Sequence, residues 1–200
     1  IERVAAAAIR VAPATPTSVF VNQPEREQRM GLLIYFLVYF LSAFVWRSVL
    51  VYKRTGTNPF ALPSGDDAYG YVGRAFKSVI FAVTLLVAVN AISPDMLASL
   101  GTIPVLQVPA LRLFGWSLLL ASLVWILVAQ AQMGDSWRIG IDSANSTRLV
   151  TNGLFAISRN PVFLAMRISL LGLFALLPNA VTLAILIAGE LLMQVQVRLE

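Results

Sequence analysis

The sequence predicts an all-α fold: a polytopic membrane helix bundle of about five transmembrane helices that ends in a C-terminal helical hairpin. Three observations carry that prediction. Of 200 residues, 58% are hydrophobic and only 12% are charged, whereas a soluble domain carries roughly 25% charged residues. The mean hydropathy is +0.78. The apolar residues gather into runs at 31–52, 79–92, 111–133, 162–177 and 180–197, lengths that approach the ~17–25 residues a helix needs to cross a bilayer.

Residues 1–29 mix Ala, Pro and Thr with the balanced charges of PEREQR and are expected to form a flexible lead-in. Their apolar stretch is too short for a signal peptide, and Met30, directly before span one, would be a natural start. Residues 30–133 hold spans one to three and the loop 53–77, whose TGTNPF and PSGDDAYGYVGR segments are rich in turn residues. Asp66 and Asp67 in that loop invite an acid–base reading, but capping suits them better. Ser64 or Asp66 would cap a helix beginning near Ala68, with the carboxylates at its positive end. Span two is the weakest of the five: Asn90, Ser93 and Pro94 close it early, and residues 72–77 could extend its start. Span three ends in AQAQMG, so Gln130 and Gln132 are expected at the inner interface, satisfying water or neighbouring backbone. Gly134, Asp135 and Ser136 then break the helix and open the segment 134–200, which closes with the hairpin of spans four and five.

Charge sets the expected orientation. Lys53, Arg54, Arg74 and Lys77 follow span one, only Arg112 precedes span three, Arg138, Arg148 and Arg159 precede span four, and Arg198 follows span five. The positive-inside rule then puts the first, third and last connections in the cytoplasm and the N-terminus outside. The net charge of +5 is thereby accounted for by topology, and no basic patch with interleaved aromatics points to nucleic acid. The chain has neither cysteine nor histidine, which removes disulfides, thiolate chemistry, the commonest general base and the usual metal ligands. The expected partner is the lipid bilayer; no metal is expected, and no feature of the sequence specifies an oligomeric state.

The stretch 149–163, LVTNGLFAISRNPVF, carries most of the functional signal. It combines a turn at Asn152 and Gly153, candidate donors at Arg159 and Asn160, and Pro161 at a helix start. Structural roles are open to each: Asn160 can cap, Pro161 suits a first turn, and Arg159 can snorkel to lipid phosphates. The hairpin turns at Pro178 and Asn179, and counting outward from it sets Arg167 against Glu190, each about 17 Å below the turn at ~1.5 Å per residue. An unpaired charge at that depth is costly, so the two are expected to form an ion pair. The same counting sets Phe163 against Gln194 and Arg159 against Arg198. Glu190, Gln194 and Arg198 make one polar stripe at i, i+4 and i+8, facing Arg159, Phe163 and Arg167 on the other helix. Such facing stripes form either an internal structural network or, in continuity with the Gly153 loop, a polar pocket open to the cytoplasm.

These residues together resemble the isoprenylcysteine carboxyl methyltransferases and their bacterial relatives. The pattern runs Leu149 and Val150, a turn with Gly153 and Phe155, then Arg159, Asn160 and Pro161, Phe163, an apolar hairpin, and Arg198 and Glu200 near the end, covering about residues 134–200. The resemblance implies methyl transfer from S-adenosylmethionine to a lipophilic small-molecule or lipid-linked acceptor at the cytoplasmic face of a bacterial inner membrane. It implies that Arg148, Leu149, Val150 and Phe155, with Asn160, Pro161 and Phe163, line the cofactor pocket. Glu200 matches the acidic residue that contacts cofactor, and Arg198 the arginine that faces substrate. Gly153, Arg159 and Gln194 join the cofactor set, and Arg167 and Glu190 join Arg198 as candidates for orienting substrate.

Two departures accompany the resemblance. Asn160 stands where the family more often has His, keeping hydrogen bonding without a titrating ring. The pattern also stops at Glu200, so a second acidic residue and a tail helix are expected beyond it. Methyl transfer suits this residue inventory, because a sulfonium methyl is already electrophilic and an anionic carboxylate acceptor needs no base. An amine, phenol or thiol acceptor would need one, and Glu190 is the carboxylate in place. Two other functions fit less well: an NADPH-dependent membrane reductase of the steroid-reductase type, and a non-catalytic accessory protein whose stripes serve helix association.

Overall fold

A computed structural model describes residues 23–59, 67–138 and 149–199. The chain forms α1 (Gln23–Phe40), a π-helical turn (Leu41–Trp46), α2 (Arg47–Thr55), α3 (Ala68–Ile92), the short α4 (Pro94–Ala98), α5 (Pro109–Met133), the single turn α6 (Leu154–Ile157), α7 (Pro161–Leu176) and α8 (Ala180–Leu199). Short 3₁₀ turns follow at Pro104–Leu106 and Gly134–Ser136. Four segments are long and apolar enough to cross a membrane, Glu25–Thr55, Ala68–Ile92, Pro109–Ser136 and Ala180–Leu199, and α7 is a shorter apolar helix. The protein is an integral membrane protein, as its composition predicted.

Helix starts follow local chemistry. Asp67 caps α3, its Oδ1 accepting from Gly70 N at 2.8 Å; the cap is thus neither Ser64 nor Asp66, both outside the described residues. Asn160 caps α7 ahead of Pro161 at its first position, a residue whose missing N–H costs nothing there. Asn179 Oδ1 accepts from Val181 N and Thr182 N at 3.0 and 2.9 Å, which starts α8 directly out of the hairpin turn.

Three boundaries differ from the sequence reading. The first helix begins at Gln23, inside the expected lead-in, because QPEREQR continues the helical register with charges that lie outside the apolar stretch. Span two is a 25-residue helix from Ala68, since the glycines and charges at its start are tolerated in a helix end near the interface. A π-helical turn interrupts the first long helix, and side chains occupy the carbonyls it loosens: Ser42 Oγ donates to Val38 O at 2.6 Å, Ser48 Oγ to Phe44 O, and Gln130 Nε2 to Ala43 O at 2.8 Å.

The helices run alternately up and down. The start of α1, the end of α3, the start of α5 and the α7–α8 turn meet at one end, where Ile103 N donates to Pro178 O at 2.9 Å and Ala180 N to Gly101 O at 3.0 Å. The end of α2, the start of α3, the end of α5, the start of α7 and the end of α8 meet at the other. The core lies between, built on Leu32, Tyr35, Leu119, Ile126, Ala165 and Leu173. The most extensive interface joins α5 and α7. Gly115 and Gly172 lie at its crossing, where a Cβ on either would come within 3.0 Å of the other's carbonyl oxygen. Small residues let two membrane helices approach this closely, and dispersion contact is the main force available between them in lipid. Ser122 Oγ donating to Ala165 O at 2.8 Å and Trp125 Nε1 donating to Pro161 O at 3.1 Å fix the register of the pair.

Candidate functional site

The end of α5 is anchored before the functional stretch begins. The buried Arg47 guanidinium donates to Gly134 O, and Arg54 pairs with Asp135 at 3.7 Å. Both arginines come from α2, so the first long helix holds the 3₁₀ turn through which α5 leaves the membrane. One turn earlier Gln132 reaches sideways, its Oε1 accepting from Leu154 N at 2.8 Å. That bond satisfies a free N–H at the start of α6. It also explains Gly153, whose φ is +61° and whose absent Cβ would lie 2.6 Å from the Gln132 amide. Gly153 therefore packs its backbone on Gln132, and Gln130 and Gln132 both satisfy neighbouring backbone as expected.

α6 delivers the chain to Asn160, whose Oδ1 accepts from Phe163 N at 3.1 Å and starts α7. From there α7 and α8 face each other as the hairpin counting required. Arg167 Nε lies 3.1 Å from Glu190 Oε2. The second carboxylate oxygen of Glu190 accepts from Gln194 Nε2 at 3.0 Å. Toward the end of the hairpin the two stripes line an open cavity of about 330 Å³, within the ~300–1,000 Å³ range of small-molecule sites. Arg159, Asn160, Phe163, Arg167, Gln194 and Arg198 line it. Ser158, Leu164 and Val197 complete the lining.

Six of the residues named from sequence thus converge on one cavity, and Glu190 stands directly behind it through Arg167. The others do not reach it. Leu149 is 83% exposed, Gly153 faces Gln132, Phe155 and Val150 are half-buried away from the lining, and Pro161 is buried with its carbonyl bonded to Trp125. Arg148 and Glu200 lie outside the described residues.

One wall residue was not anticipated. Phe76 of α3 stacks on Phe163 with ring centroids 5.9 Å apart and planes at 25°, so a third helix backs the aromatic wall. At the same end Tyr69 Oη donates to Leu199 O at 3.4 Å, tying the start of α3 to the end of α8. The sequence carried a weak sign of both, since Tyr69 and Phe76 are aromatics on the charged, glycine-containing start of span two rather than in its apolar run.

Electrostatically the cavity has an inner and an outer part. The inner guanidinium, Arg167, is neutralised by Glu190. The outer two, Arg159 and Arg198, are exposed and take part in no ion pair among the described residues. The arrangement leaves net positive charge at the mouth, which suits an anion, and a charge-balanced Arg167–Glu190 pair beneath.

Residues 113–200 match the model of the Isoprenylcysteine carboxyl methyltransferase (ICMT) family. The resemblance read over about residues 134–200 therefore extends back through most of α5, the helix whose Gln132 and Trp125 position the loop and the start of α7. No curated protein and no solved structure gives a significant match.

Proposed function

We propose that this protein is a membrane-embedded methyltransferase that uses S-adenosylmethionine and acts on a lipophilic, anionic acceptor, a carboxylate being the class that suits it best. The observation that carries the reading is the cavity between α7 and α8, which lies within the stretch matching the methyltransferase family. Its residues suit the cofactor: Phe163, braced by Phe76, offers an aromatic face, Asn160 and Gln194 offer amide groups, and two guanidiniums at the mouth suit a carboxylate. Bound there, S-adenosylmethionine supplies an electrophilic sulfonium methyl group.

The protein's part in the reaction is positional. Arg198 and Arg159 draw an anionic oxygen to the mouth of the cavity and orient it. Phe163, Leu164 and Val197 keep water from the reacting centre. Glu190 has both oxygens engaged, by Arg167 and by Gln194, so it holds Arg167 in place rather than taking a proton. That favours an acceptor that arrives already ionised. The cavity-bearing end gathers Lys53, Arg54, Arg74, Lys77, Arg159 and Arg198, and the positive-inside rule assigns it to the cytoplasm, where a soluble methyl donor is at hand.

Calorimetry of the detergent-solubilised protein with S-adenosylmethionine and S-adenosylhomocysteine tests the reading. Saturable binding of both is expected, weakened tenfold or more by Phe163→Ala. Binding of NADPH in place of either ligand, or of neither class, overturns it.

A further inference from the structure

The opposite end of the bundle holds a second cavity, of about 190 Å³, that methyl transfer does not use. Its polar lining includes Glu25 and Arg29 at the start of α1, Asn90 at the end of α3, Gln107 and Arg112 around the start of α5, and Asn179 in the hairpin turn. Asn179 is committed to capping α8. Asn90 is not committed: it is only 4% exposed, and its Nδ2 has no hydrogen-bond partner. A buried amide N–H₂ left unpaired is costly, and such a group asks for an acceptor.

The charges agree with an acceptor that is anionic. Arg29 and Arg112 set two guanidiniums against the single carboxylate of Glu25, and neither arginine is in an ion pair among the described residues. Beside Gln107 and Arg112, the 25-residue α5 begins at Pro109 with no side-chain cap from Val108, so no side chain counters the positive end of its dipole. The floor is a built structure: the Gly101–Ile103 segment is clasped to the hairpin turn by the bonds Ile103 N to Pro178 O and Ala180 N to Gly101 O.

The surroundings fix where the anion comes from. Ile92, the last residue of α3, and Val105, ahead of α5, are large apolar side chains turned outward, 81% and 79% exposed. In a membrane protein such side chains sit at the boundary of the acyl chains, which puts the cavity among the lipid headgroups.

We propose that this cavity binds a phosphate-bearing anion, with the Arg29 and Arg112 guanidiniums and the Asn90 amide donating to its oxygens. The chemistry is shared by a phospholipid headgroup and by free phosphate, and the location favours the lipid. The test uses delipidated protein in detergent, with melting temperature read against added dioleoyl-phosphatidylglycerol, dioleoylglycerol, and inorganic phosphate at matched ionic strength. Phosphatidylglycerol is expected to raise the melting temperature saturably while dioleoylglycerol does not. The double variant Arg29→Gln, Arg112→Gln should need at least tenfold more lipid for the same rise, with unchanged helical circular dichroism. Asn90→Leu should keep or raise the melting temperature of the delipidated protein yet lose sensitivity to the lipid, an opposite response that a purely structural Asn90 would not give. Equal protection by phosphate alone would assign the site to the free anion. Protection by neither, or equal protection of wild type and double variant, overturns the proposal.

Discussion

Replacing Arg167 with Met probes the contact on which the α7–α8 hairpin depends. At the observed 3.1 Å, two unit charges attract by roughly 5 kcal/mol at an effective dielectric of about 20, and by little more than about 1 kcal/mol in water. The side chains are 33% and 38% exposed, and Arg167 Nε makes no aligned hydrogen bond despite its distance. The pair therefore stands between an exposed bridge worth ~0–1 kcal/mol and a buried one whose breaking costs ~3–5 kcal/mol. We expect Arg167→Met to cost about 1–2 kcal/mol, because Glu190 keeps its charge and loses its partner. For a chain of this length that is a fall in melting temperature of roughly 2–8 °C, measured in detergent at fixed lipid content. Glu190→Gln alone should cost a similar amount, and the double variant Arg167→Met, Glu190→Gln should recover at least half of the loss. Equal stability of the wild type and all three variants would refute the pairing argument.

Substitutions at three further positions separate scaffold from site. Gly153→Ala should place a Cβ against Gln132 and strain a residue at φ +61°, costing about 1–3 kcal/mol and weakening S-adenosylmethionine binding, as read by melting and by calorimetry on one sample. Asn160→Asp keeps the cap on Phe163 N, whereas Asn160→Ala loses it at a cost of about 1 kcal/mol; if Asn160 also contacts cofactor through its amide N–H₂, Asp should bind it more weakly while melting like wild type. Gly172→Leu should drive α5 and α7 apart, since even its Cβ would lie 3.0 Å from the Gly115 carbonyl oxygen, destabilising the bundle by more than ~2 kcal/mol, and normal expression and melting of that variant would contradict the crossing.

Depth was legible in the sequence and lateral placement was not. The Arg167–Glu190 pair could be counted out because two apolar helices leave one short turn with the same rise per residue, leaving a single register to consider. Arg159, Asn160 and Phe163 could likewise be set beside Gln194 and Arg198, since the hairpin forces its ends together, whereas residues 149–155 were expected there and are not. Phe76 and Arg47 were missed for the opposite reason. Which face of α3 meets α7, and which turn of the first long helix meets α5, depends on packing between elements distant in the chain, where hydropathy carries no phase. The π-helical turn at Leu41–Trp46 is legible only in hindsight, from Ser42 and Ser48 in an apolar run and from a glutamine on another helix bonded to Ala43.

The unequal lengths of the two hairpin helices give the proposed reaction its geometry. The 16 residues of α7 span about 24 Å, and the 20 residues of α8 span about 30 Å, close to the ~30 Å hydrocarbon thickness. Both leave the turn at Pro178 and Asn179, so the described part of α8 runs about one helical turn past the start of α7, and the cavity lies at this step, between residues 158–167 and 194–198. Phe163 and Arg167 line its inner end, and Arg159 and Arg198 line its mouth, nearer the ends of the helices. Leu191 and Val195 of α8, the helix that carries Gln194 and Arg198, are exposed apolar side chains. An acceptor could then keep its alkyl chain in the bilayer while its anionic end meets the arginines, and a soluble donor could enter from water. With the proposed activity, a series of carboxylates of increasing chain length should show KM falling roughly fourfold per methylene at constant kcat, from ~0.8 kcal/mol of burial each, until the chain extends past these side chains. A KM indifferent to chain length would place the acceptor in water and remove the step between α7 and α8 from the mechanism.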